Sequence, residues 1–150
     1  MTKKVPFFEY PRLWTDHKES YISVFDRVAS SGGFILQKEL SDFETELADY
    51  TGANYSVGVG NATDAMEIFL EAIGLNKGDE IIISSHTMLA TASAIKFAGG
   101  IPVPVDIGED NLISSESIED AITSNTVGIM PTQLNGRICE MDTILSLIHI

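Results

Sequence analysis

Residues 55–74 read YSVGVGNATDAMEIFLEAIG, a short strand-like run, a tight glycine turn and an amphipathic helix. Ser56 to Val59 mix small and β-branched residues, as a buried strand requires. Gly58 and Gly60 allow backbone angles and close approaches that a Cβ would obstruct. From Ala65 onward, Ala65, Met66, Phe69, Leu70 and Ile73 fall on one helical face. Asn61 suits an N-cap, with Asp64 three residues later in the place of a capping-box acid. A helix opening after such a turn offers free N–H groups and the positive end of its dipole to an anion.

The pattern at the turn leaves two readings open: a plain strand–turn–helix connection and a phosphate site. The dinucleotide fingerprint G-x-G-x-x-G is incomplete, because Thr63 stands at its third glycine, and its acidic partner is missing after the next strand. No P-loop lysine is present. The Asp64 carboxylate would repel a phosphate if it pointed into the turn. An anion there would depend on backbone N–H groups and the Thr63 hydroxyl.

Outward from this centre, elements alternate. A helix is predicted over 15–30, with Ile22, Phe25 and Val28 inward and Gly32-Gly33 as its stop. Leu40, Phe43, Leu47 and Tyr50 recur at helical spacing, and Gly52 closes that helix. The acids Glu39, Asp42, Glu44, Glu46 and Asp49 flank this stripe as a solvated face and not as a metal site. Strands are predicted at 81–84, 101–105 and 127–130, with Pro102 and Pro104 placing the second towards an edge. Helices are predicted at 87–98, 115–123 and 140–147. Short connections between alternating strands and helices give an α/β fold, a three-layer α/β/α domain with a mostly parallel sheet.

Composition narrows the functional classes. The 150 residues carry a net charge of −13, which disfavours non-specific nucleic-acid binding. No apolar run approaches membrane-spanning length, so no membrane partner is expected. A single cysteine, Cys139, excludes an internal disulfide and suits a reducing, cytoplasmic setting. The N-terminal MTKKVPFFEYP lacks the long apolar segment of a signal peptide.

Gly60-Asn61-Ala62-Thr63-Asp64-Ala65-Met66 resembles the GTDAL-like segment of the DegT/DnrJ-type (StrS-like) sugar aminotransferases, pyridoxal-phosphate enzymes of fold type I. Six further segments agree in order: Gly33 to Ile35, Asp42 to Glu44, Gly78 to Glu80, Thr87 to Ala92, Pro102 to Asp106, and Pro131 to Gly136. The resemblance covers nearly the whole chain. It implies part of a fold type I large domain, divided as an N-terminal arm and helix (1–36) and a partial cofactor-binding domain (37–150).

The resemblance also implies the site. Ala62, Thr63 and Asp64 take the positions that hold the phosphate of pyridoxal 5′-phosphate. Met88 stands where many members place an aromatic ring over the cofactor, and His86 is a substitute or a tuning group, with a structural turn histidine as the alternative. Gln133 and Asn135 are candidates for substrate or supporting contacts, and Arg137 for an anionic substrate group or a plain surface role. In the family the Schiff-base lysine and the acid facing the ring nitrogen lie beyond the 131–136 segment, so no catalytic residue is expected within these 150. Lys77 and Lys96 read as surface residues.

The activity implied is transfer of an amino group from an amino acid, glutamate, to a nucleotide-linked keto-sugar, for surface-polysaccharide or nonulosonic-acid sugar synthesis. The full-length enzyme would be a cytoplasmic homodimer, and the chain an inactive N-terminal fragment. Leu145 to Ile150, LSLIHI, resembles translated adapter read-through and is expected to be non-native, so His149 carries no function. A sugar dehydratase on the same scaffold, or a non-catalytic phosphate- or nucleotide-binding α/β domain, are the alternatives. A −13 chain meeting an anionic substrate needs cations concentrated locally, or supplied by a further part of the protein or a second subunit.

Overall fold

The computed structural model describes residues 5–148. The chain forms two compact units, the first ending at Gly58 and the second starting at Val59. The sequence boundary expected at 36/37 falls inside the first.

The first unit holds α1 (Tyr10–Ser31) and α2 (Lys38–Thr51). Helix α1 starts five residues before the predicted 15, because Pro11 sits in its first turn, where a missing N–H costs nothing. Gly52 ends α2 in the left-handed conformation at φ 71°, its N–H reaching the carbonyls of Ala48 and Asp49. Between the helices two residues are left-handed, Gly32 at φ 74° and Leu36 at φ 46°. Gln37, the residue before α2, has an ordinary extended backbone at φ −104°. No glycine is required there.

The 56–59 run does not form the expected strand. Alternation shows that a segment tolerates extension, but a strand also needs a partner, and this run pairs with none among the described residues. Tyr55 and Val57 are exposed. What holds the segment is a side chain: Gly58 N–H donates to Glu44 Oε1 at 2.7 Å. A Cβ at Gly58 would overlap the Leu40 side chain, so the glycine serves a close approach, as expected.

The second unit contains α3 (Ala62–Ala72), β1 (Glu80–Ser84), α4 (Leu89–Phe97), β2 (Ile101–Val105), α5 (Ser115–Ala121), β3 (Thr126–Met130) and α6 (Met141–Ile148). The sheet is all parallel in the order β2-β1-β3. Strand β1 is central and nearly fully buried, as a parallel strand covered on both faces must be. Its side chains alternate between two cores. Ile81 and Ile83 pack with Leu70 and Ile95 on the α3/α4 face. Ile82 packs with Val105, Ile113, Ile118, Cys139 and Ile144 on the α5/α6 face. The three-layer α/β/α arrangement is therefore built on a period of two in one short strand.

Strand β2 lies at an edge. Ile101 N–H donates to the Asp79 carbonyl and Ser85 N–H to the Val105 carbonyl, so the odd-numbered residues of β2 turn their backbone towards β1. Pro102 and Pro104 occupy the outward positions, where no ladder bond is lost. Helix α6 ends at Ile148 and packs through Ile144, so most of the LSLIHI segment is helical; His149 lies outside the described residues.

Candidate functional site

The connection from β1 runs to β2 on one side, and the chain then crosses to β3 on the other. The crevice at the carboxyl ends of β1 and β3 is thus a topological switch point, where open α/β sheets bind ligands. The sequence candidates His86, Met88, Gln133, Asn135 and Arg137 all lie on the loops that leave these two strands.

Three threonines tie the two loops together. Thr87 Oγ1 lies 2.8 Å from Thr132 Oγ1 and 2.9 Å from Thr91 Oγ1. One hydroxyl can donate and accept at once, so Thr87 serves both neighbours. Below it, Ser84 Oγ is buried and accepts the His86 N–H at 3.2 Å. These hydroxyls escaped sequence reasoning. The only local hint is Thr87 and Thr91 at i, i+4, since Thr132 comes 45 residues after Thr87.

Met88 is the N-cap residue of α4, extended at φ −67° and ψ 142°, and offers no side-chain cap. Its side chain is 76% exposed. With Ser85, Thr87, Leu89 and Pro104 it lines an open, largely apolar groove of about 410 Å³. A thioether there presents a polarizable face. His86 turns elsewhere. It shares a polar recess of about 200 Å³ with Asp110, Asn111, Leu134, Asn135 and Arg137. The structure therefore brings His86, Asn135 and Arg137 together and separates them from Met88.

Gln133 is spent on its own loop. Its Oε1 accepts the Cys139 N–H at 2.6 Å, and its Nε2 lies 3.3 Å from Met141 Sδ. The Cys139 thiol is buried and directed at the Thr132 carbonyl, 3.4 Å away. Arg137 donates through Nη1 to the Asp110 carbonyl at 2.5 Å and is otherwise exposed. Asn135 is left-handed at φ 54°, a conformation that asparagine tolerates better than most residues.

The glycine turn is organised by Asn61. Its Oδ1 accepts N–H bonds from Thr63 at 2.9 Å and Asp64 at 3.0 Å, which makes it the expected N-cap. Asp64 does not complete a capping box. Its Oδ2 instead accepts from Asn61 Nδ2 at 2.9 Å. A Cβ on Gly60 would come within 2.8 Å of that same oxygen, so the glycine makes room for the Asn61–Asp64 pair. Among the described residues, the Ala62 N–H and the Thr63 hydroxyl hold no hydrogen bond, and they are the donors left for an anion. Ala62, Thr63 and Asp64 line neither the groove of Met88 nor the recess of His86.

Among the described residues no cluster of His, Cys, Asp and Glu could hold a metal ion. No helix among them is long and apolar enough to cross a membrane.

The profile of the DegT/DnrJ/EryC1/StrS aminotransferase family matches residues 15–149. The dTDP-3-amino-3,4,6-trideoxy-alpha-D-glucose transaminase of Streptomyces venezuelae is 34% identical over 147 residues, 97% of this chain and 39% of that protein. The crystal structure of S. venezuelae DesV in complex with ketimine intermediate superposes with a TM-score of 0.92 at 34% identity, over 99% of this chain and 40% of that one. NtdA from Bacillus subtilis, with bound cofactor PMP, gives a TM-score of 0.92 at 34% identity, over 99% of this chain and 35% of that one. The chain thus spans about two fifths of the length of the curated relative.

Proposed function

Because the chain belongs to the DegT/DnrJ/EryC1/StrS aminotransferase family, we propose that it is the N-terminal part of a pyridoxal-phosphate-dependent sugar aminotransferase. The observation that carries this reading is the superposition of 99% of this chain on the solved structure of DesV, at 34% identity. The reaction is transfer of an amino group from an amino acid, glutamate, to a nucleotide-linked keto-sugar. Products of this kind feed surface-polysaccharide or nonulosonic-acid synthesis. The enzyme works as a cytoplasmic homodimer in this reading. Its lone buried thiol suits a reducing compartment, and the exposed aromatics of α1 (Trp14, Tyr21, Phe25) suit a subunit contact.

The residues at the α3 N-terminus fit a phosphate. Gly60 keeps the turn open, the Ala62 N–H and the Thr63 hydroxyl are free donors, and the helix dipole favours negative charge. Asn61 limits the fit, since it already occupies the N–H groups of Thr63 and Asp64. The pair with Asn61 also keeps the Asp64 carboxylate engaged. Pyridoxal phosphate, when bound, supplies the electron sink through which an amino group passes from donor to acceptor. Met88 offers an apolar, polarizable surface for a ring in the groove it lines with Leu89 and Pro104. Thr87 and Thr132 hold the two loops at a fixed separation, and Arg137 brings a cation to the neighbouring recess, beside Asp110.

The test is the complete reading frame that carries these residues, purified and supplied with pyridoxal phosphate, glutamate and dTDP-linked keto-sugars. Formation of an aminosugar nucleotide together with 2-oxoglutarate, read by mass spectrometry, is the expected outcome. Loss of the sugar oxygen without uptake of nitrogen would identify a dehydratase instead. Neither change, in a protein that retains the cofactor, would reject the transferase.

A further inference from the structure

The polar recess beside the switch crevice receives a loop from each of the three strands. His86 follows β1, Asp110 and Asn111 follow β2, and Leu134, Asn135 and Arg137 follow β3. A pocket to which every strand end contributes is placed as ligand sites in open α/β sheets are placed.

Its chemistry is balanced. Arg137 and Asp110 bring one charge of each sign. One Arg137 nitrogen is spent on the Asp110 carbonyl, and Asp110 Oδ1 on the Leu112 N–H. The rest of the guanidinium fork, the second carboxylate oxygen, two carboxamides and an imidazole remain as interleaved donors and acceptors. A phosphate would meet the Asp110 carboxylate, and an apolar ligand would strand these groups without partners. Hydroxyl groups on adjacent carbons, each donating and accepting, satisfy them all. Leu134 adds one apolar wall for ring C–H groups. At about 200 Å³ the recess suits a single sugar ring and is too small for a whole sugar nucleotide.

Two of the lining residues stand in the left-handed region, Asn111 at φ 66° and Asn135 at φ 54°. Glycine would adopt both conformations more readily. In each place the chain instead has an asparagine, and both asparagines line the recess.

We infer that this recess is a subsite for an uncharged polyhydroxylated ring, held by Asn111, Asn135, Arg137 and the free oxygen of Asp110. The inference rests on the proposed function for one thing only, that the ring arrives attached to a nucleotide.

The experiment is a titration of the isotope-labelled full chain with dTDP-glucose, and in parallel with dTDP, read by NMR. The side-chain amides of Asn111 and Asn135 and the Arg137 Nε–H should shift with dTDP-glucose and stay in place with dTDP. The double variant Asn111→Gly/Asn135→Gly suits the left-handed backbone, so it removes both carboxamides without a folding penalty. It should weaken dTDP-glucose binding by about tenfold or more, the equivalent of one to two hydrogen bonds, as should Arg137→Ala. Equal shifts with dTDP alone, no shift at millimolar dTDP-glucose, or unchanged affinity in the glycine variant would each overturn the subsite. Amino transfer by the complete protein is a separate readout. Side-chain shifts without transfer would keep the recess and discard the transferase, and transfer without shifts would do the reverse.

Discussion

Thr87 and Thr132 meet through their hydroxyl oxygens at 2.8 Å, across 45 residues, where the loops after β1 and β3 diverge. Backbone pairing holds these strands only as far as Met130. Beyond that point this contact fixes the width of the crevice, and Thr91 secures Thr87 from the first turn of α4.

Replacing Thr87 with Val keeps its shape and removes both hydroxyl contacts. A loss of about 1–2 kcal/mol in urea unfolding is expected, since the hydroxyls of buried Thr91 and half-buried Thr132 each lose a partner. The Thr87→Val/Thr132→Val pair should cost less than the sum of the single changes by about 1 kcal/mol. Strict additivity would show that the two hydroxyls do not interact.

The cap at Asn61 sets up a competition. Asn61→Ala removes the acceptor of the Thr63 and Asp64 N–H groups and should destabilise the fold by about 1 kcal/mol, whereas Asn61→Ser should retain most of it. The same alanine frees two donors at the positive end of α3. Added inorganic phosphate should therefore raise the melting temperature of Asn61→Ala more than that of the parent chain. An equal rise in both would show that Asn61 does not compete for the anion.

Acid should weaken the pairing of α1 with α2. The Glu39 carboxyl is held below its ordinary range, first by its own backbone N–H and then by Arg27, whose Nη1 lies 2.7 Å away. A lowered folded value means that the stabilisation is complete above the ordinary glutamate range and is lost as pH falls through the folded value. Lys38 has the opposite sign. Its hydrogen bond with Asp42, the largest influence, raises it, so that contribution is complete below the ordinary lysine range and is lost as pH climbs through the raised value. In melts followed by helical circular dichroism, Glu39→Gln should flatten the acid limb and leave the alkaline limb in place. Both exposed pairs should fade with added salt.

Cys139 should resist thiol reagents in the folded chain, being 3% exposed and bonded through its own N–H to Gln133. Gln133→Leu removes that acceptor and leaves a buried N–H unpaired, at a cost of about 1–3 kcal/mol. The thiol of the variant should then react faster under native conditions. Unchanged reactivity would mean that the α6 packing alone shields it.

Much of this was legible in the residues because it is local. Asn61, Gly60 and the 3.6-residue stripe of α3 lie within a dozen positions, and cap and helix formed where the pattern placed them. The buried run of β1 and the edge prolines of β2 were equally plain. The 56–59 strand was misread because alternation reports a face and says nothing about a partner. The bond of Gln133 to the Cys139 N–H spans a turn at Asn135 that sequence does not announce. The threonine bridge and the recess join three loops, and no local window contains them.

The two prolines of β2 have one further consequence. They leave its outer rim without N–H donors, while β3 keeps an outer rim of its own, paired to nothing among the described residues. The sheet can grow in one direction only. If two such chains met rim to rim along β3, the joined sheet would carry a proline-blocked strand at each end, and a third chain would find nowhere to add. Strand-mediated association is thereby self-terminating at the pair: light scattering would show a mass that levels off at twice the chain, where a sheet with two open rims would climb without limit.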